Sequence, residues 1–222
     1  MSKEWPGQVA KKEIERTKNV SKSIIENKEM KEKKVVKIHF LIHPGYLSDV
    51  KFHGYITSNE ELENYNLLMD KYIEQAKKIG ENELMVIFSH TEKDDFKKDL
   101  FTKLYTKKIK EIKDILGNRS IVIFMDGYEL DEKDIENIKK IASARGYKFN
   151  ENVLTEAYGE MLTNCVVNWA VGLNKAGKFI NKTTIRSKLT DLDTSDWTKS
   201  KDLPKIKKEY EEGYEGNYVN II

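Results

Sequence analysis

With 222 residues, 39% of them hydrophobic and 34% charged, the chain is long enough for one sizeable core with appendages. Its 39 basic and 37 acidic residues are interspersed and leave a formal net charge of +2, which produces no large one-sign field and argues against a nucleic-acid partner. The apolar stretches are far too short to cross a bilayer, and the start MSKEWPGQVAKKEIERTK has no apolar run behind its charges. The single cysteine, Cys165, cannot close an internal disulfide, so a cytoplasmic protein without membrane contact is expected.

Residues 1–34 read as a charged extension. Val9, Ile14, Val20, Ile24 and Ile25 are too irregularly spaced for a continuous helical stripe, so a partly docked helix or arm with a solvated face is expected. An α/β domain is expected over residues 35–190. It opens with the strand VVKIHFLI, which runs into His43. The connection HPGYLSDVKFHGYITS that follows is unusually long, and two compatible readings stand: a binding loop or lid, or an added β-hairpin. Ser58 and Glu61 then have capping-box spacing. Tyr65, Met69, Tyr72, Ile73 and Ala76 recur at helical intervals, and Gly80 is placed for a left-handed cap.

The plan repeats twice. A strand over Leu84–Ser89 leads to an N-cap near Thr91 or Asp94 and a helix through Leu104, Ile109 and Ile112 to Gly117. A strand over Ile121–Asp126 leads to an N-cap at Asp131 and a helix through Ile135 and Ile138 to Gly146. Val153–Tyr158 reads as a fourth strand before a helix through Cys165, Trp169 and Leu173, although Val153–Leu173 also fits one continuous helix. Lys178–Leu189 is rich in β-formers. Residues 191–222 read as a C-terminal tail packed on the domain, with a short charged helix and final apolar residues folding back. Strands alternating with amphipathic helices predict an α/β, Rossmann-like three-layer sandwich with a mostly parallel sheet.

Three of these strands end on polar, reactive side chains: His43, then Ser89 with His90, then Asp126. In a parallel sheet those ends share one edge, where open α/β sheets bind ligands. His43-Pro44-Gly45-Tyr46 and Asp126-Gly127-Tyr128 each turn the chain there, which places Tyr46 and Tyr128 as substrate contacts. His53, in the long connection, would overhang the same edge. If the first and fourth strands straddle the switch point, Glu160 comes beside His43.

Two chemistries fit the set His43, His90, Asp126 and Glu160. A histidine oriented by a carboxylate is a general acid or base, and imidazole with carboxylate also suits a divalent Zn, Mn or Fe ion, although no close-spaced ligand pair marks one. The bland alternative is that these groups cap helices and tie turns. Asn164–Ala170 resembles the cysteine-bearing helix start of the isochorismatase-like cysteine hydrolases, which implies a nucleophilic Cys165. That family has an aspartate where this chain has His43, and Cys165 also continues the apolar stripe of Val166, Trp169 and Ala170, as a buried structural cysteine would. No phosphate-binding P-loop, dinucleotide glycine fingerprint, nucleophile elbow or zincin motif occurs. The sequence therefore points to a small-molecule hydrolase or lyase site at the strand ends. The alternative is a non-catalytic binding or assembly module, homo-oligomeric through its tyrosine-rich tail and charged N-terminal helix.

Overall fold

The computed structural model describes residues 32–44, 59–90, 100–125, 130–160, 165–190 and 203–222. Nearly all of the N-terminal extension, the Ser58 cap, the signals at Thr91 and Asp94, and Tyr46, His53, Asp126 and Tyr128 lie outside them.

Among the described residues there are eight strands: β1 (Lys33–Lys34), β2 (Lys37–Ile42), β3 (Glu83–His90), β4 (Ser120–Met125), β5 (Tyr147–Lys148), β6 (Leu154–Gly159), β7 (Thr183–Thr190) and β8 (Val219–Ile221). Between them run α1 (Asn59–Lys78), α2 (Leu100–Leu116), α3 (Glu132–Ala144), α4 (Val167–Gly177) and α5 (Leu203–Glu212). β1 and β5 form a small parallel pair of their own. The other six form one sheet in the order β4-β3-β2-β6-β7-β8, and every neighbouring pair is parallel. Numbered along the chain, these six run third, second, first, fourth, fifth, sixth, the order of the doubly wound dinucleotide-binding sheet. Its switch point lies between β2 and β6.

The sheet is covered on both faces, and the strand alternation says how. Ile38, Phe40 and Ile42 of β2 join Val86 and Phe88 of β3 in a core that also takes in residues of α3, α4 and α5. Leu41, Met85, Ile87 and Tyr158 point the other way, into a core with α1 and α2. The α/β expectation is thus met by a three-layer arrangement, and burial on both faces explains why the strands read as continuous apolar runs.

Local signals hold where a side chain makes the bond. The Asp131 carboxylate accepts from the amides of Lys133 (2.8 Å) and Asp134 (3.0 Å), and Asp134 returns the bond to the Asp131 amide at 2.9 Å. Gly117 (φ 55°) and Gly146 (φ 81°) take the left-handed conformation. Gly80 does not. The Arg119 guanidinium donates to the carbonyls of Ile79 (2.5 Å) and Gly80 (3.0 Å), and Glu83 accepts from the Gly80 amide (3.2 Å), so the end of α1 is satisfied without a left-handed turn.

The continuous-helix reading of Val153–Leu173 fails, because Leu154–Gly159 pairs with β2 along its whole length. The β-rich stretch predicted from Lys178 begins at Thr183. Lys178 itself is the left-handed cap of α4 (φ 52°), and the Asn174 side chain donates to the Asn181 carbonyl (2.8 Å) across the turn. Val219–Ile221 enter the sheet as its sixth strand beside β7, a pairing that alternation alone did not indicate.

Candidate functional site

Parallel pairing delivers the C-terminal ends of the strands to one edge. Ile42 is opposite both Phe88 and Gly159, and His90, the last residue of β3, is opposite Met125. His43 and Glu160 are therefore the next positions on the two strands that flank the switch point. The His43 amide donates to the Phe88 carbonyl (3.0 Å) and the Glu160 amide to the Ile42 carbonyl (3.2 Å), which anchors both. Asp126 follows Met125 in the chain but lies outside the described residues.

Gly159 determines how closely these strands meet. Its φ is 152°, and an added Cβ would lie 2.0 Å from the Ile42 carbonyl oxygen, so only glycine fits. β7 is irregular at the same level: Ala157 pairs with Ile185 but Gly159 with Thr190, which puts extra β7 residues beside the edge.

His43 is the one non-glycine residue besides Lys178 with positive φ among the described residues, at 47°. Strict alternation would direct it to the face of His39 and Leu41. The left-handed backbone breaks that alternation, and the imidazole meets the Trp169 indole edge-on at 4.4 Å between centroids, on the opposite face. His43 is 3% exposed and Glu160 0%, so an imidazole and a carboxyl are both buried at the switch point. Ser89, the residue after Phe88 on β3, is buried as well. Cys165 lies in a π-helical turn leading into α4 and belongs to the apolar core with Val166 and Trp169. Among the described residues, no group of three His, Cys, Asp or Glu side chains is placed to hold a metal ion.

A second polar cluster escaped the sequence reading. On the α1 and α2 face, toward the strand starts, His39 (2% exposed) is the register partner of Glu156. His39 Nε2 is 3.1 Å from Glu83 Oε2, and its Nδ1 is 3.5 Å from Glu156 Oε2. Glu156 Oε1 accepts from Lys37 Nζ (3.1 Å) and Arg186 Nη2 (2.6 Å). The cluster thus joins β3, β2, β6 and β7.

Burial lowers the His39 pKa from the ordinary 6.5, against the opposing pull of Glu83 and Glu156. For Glu156, burial pushes upward, but the hydrogen bonds from Arg186 and Lys37 outweigh it and hold the carboxyl below 4.5. The contribution of Glu156 to stability is therefore complete above pH 4.5 and lost as pH falls through its depressed pKa. Urea midpoints measured from pH 6 to pH 3 are expected to fall below pH 4.5, and Glu156→Gln should flatten that part of the curve.

Fold and edge together define a parallel α/β protein whose switch point carries a buried imidazole and a buried carboxyl. No family model matches the chain, and no curated protein matches its sequence. The geometry therefore carries the functional argument.

Proposed function

We propose that this chain binds a small polar molecule at the C-terminal edge of its sheet and acts on it as a hydrolase or lyase. His43 would be the general acid or base and Glu160 the carboxyl that orients it or the substrate. One observation carries the reading: a histidine held in a left-handed conformation and a fully buried carboxyl occupy adjacent positions where the strand order reverses. Non-glycine residues in that conformation cost about 1–2 kcal/mol each, and such strain collects at functional sites.

Acid–base catalysis at pH 7 needs a group whose pKa lies near that value, and imidazole supplies it. Trp169 fixes the ring plane, and Gly159 lets the two strand ends approach. A divalent metal is the other chemistry that an imidazole and a carboxylate together support.

The test is a thermal-shift panel of Zn²⁺, Mn²⁺, nucleotides and small phosphoesters on wild type and on His43→Asn. Binding to the native state must raise the melting temperature. Asparagine tolerates the left-handed conformation, so the variant should lose only about 1 kcal/mol, chiefly the edge contact to Trp169, while any ligand-induced shift disappears. Unchanged shifts in His43→Asn, or strong destabilisation with no ligand response in either protein, would instead support the structural role of these residues.

A further inference from the structure

We propose that His39 and Glu156 form a proton switch built into the two strands that flank the switch point. Each protonation state of His39 leaves a different requirement unsatisfied. A carboxylate only accepts, and Glu83 Oε2 also takes the Gly80 amide at 3.2 Å, so the single proton of a neutral His39 belongs on Nε2, which faces Glu83. Nδ1 is then a bare acceptor 3.5 Å from Glu156 Oε2, another acceptor. Neither atom has a hydrogen-bond partner among the described residues. The neutral state thus holds two buried acceptors against each other.

A proton on Nδ1 supplies the missing donor and raises a different difficulty. Among the described residues, the charged groups around the ring are Lys37 on β2, Glu83 on β3, Glu156 on β6 and Arg186 on β7, so two cations balance two anions. From α1 comes an aromatic neighbour: Tyr72 stacks on Tyr158 (centroids 6.0 Å apart), which itself lies 6.2 Å from His39, and the Tyr158 hydroxyl is wholly buried. With His39 neutral the cluster is balanced; with imidazolium it holds one excess positive charge in a buried place. Each state carries a cost the other lacks, which is what a two-state element requires.

Water reaches the cluster at its rim, where the side chains of Lys37, Glu83 and Arg186 are 25%, 23% and 41% exposed, so protons can exchange. The lowered His39 pKa fixes the direction. The native state resists the proton, so acid favours opening of β2 from β6, and the same two strands end a few residues later at His43 and Glu160.

The experiment combines an NMR titration of the His39 ring with amide exchange at Ile38–Ile42 and Thr155–Gly159, corrected for the intrinsic pH dependence of exchange. His39 should titrate below 6.5. Opening of these amides should rise by up to about tenfold per pH unit between 6.5 and the native midpoint, then level off. His39→Gln should remove that phase. Glu156→Gln, which takes away one anion, should lower the His39 midpoint and so extend the phase from 6.5 to a lower pH before it levels off, and it decides the matter if His39→Gln does not fold. A midpoint at or above 6.5, or an acid phase that survives His39→Gln at the same pH, overturns the proposal. None of these measurements uses a ligand, so they are independent of whether the edge site binds one.

Discussion

Gly159→Ala is expected to cost more than about 3 kcal/mol, enough to leave the protein largely unfolded at room temperature or extensively rearranged along β6. Two penalties coincide. A φ of 152° lies outside what an L side chain adopts without strain, and the methyl carbon would sit 2.0 Å from the Ile42 oxygen and 2.9 Å from its carbonyl carbon. The obstacle is main chain held in a ladder on both sides, so no rotamer change can relieve it. Gly172→Ala is the matched control. It lies within α4, where an added Cβ meets nothing nearer than the Leu130 Cβ at 3.9 Å, and removing a helical glycine should stabilise by about 0.5–1 kcal/mol. Urea unfolding of the two variants should therefore move in opposite directions.

Trp169→Ala should cost about 3–5 kcal/mol, the range for deleting a buried tryptophan. The indole is 3% exposed and packs on Phe88 (centroids 5.0 Å apart) as well as on His43, so its removal opens a cavity beneath the switch point. A double-mutant cycle with His43→Ala isolates the edge-on ring contact, expected at about 0.5–1.5 kcal/mol. A coupling near zero would show that the tryptophan merely fills space and does not hold the imidazole.

The fold was largely readable because buried parallel strands and amphipathic helices carry opposite periodicities. Ile38-His39-Phe40-Leu41-Ile42 and Leu84–Phe88 are buried on both faces and, His39 apart, apolar, and Tyr65 through Ala76 mark one helical stripe. Strand order is a long-range property that no local pattern encodes, so the proximity of His43 to Glu160 stood only as a conditional. Gly80 misled because the groups that satisfy the end of α1 come from Arg119, on the far side of α2.

The His39 cluster was missed although its signals were present. A histidine inside a run buried on both faces needs a partner, and Glu156, alone among the small and apolar residues of Thr155-Glu156-Ala157-Tyr158, needs one too. Reading the two as complementary required knowing that β2 and β6 are neighbours.

The central position of β2 bears on the order in which the molecule assembles. Its contact to β3 through His39 and Glu83 closes 44 residues of chain, whereas its contact to β6 through Lys37 and Glu156 closes 119. Loop-closure entropy favours the nearer partner, so the β2-β3-β4 half is free to form as an early scaffold on which β6 docks late. The junction of His43 and Glu160 is then among the last features to come into being, and a ligand captured at the proposed site would report that the second half of the chain has arrived.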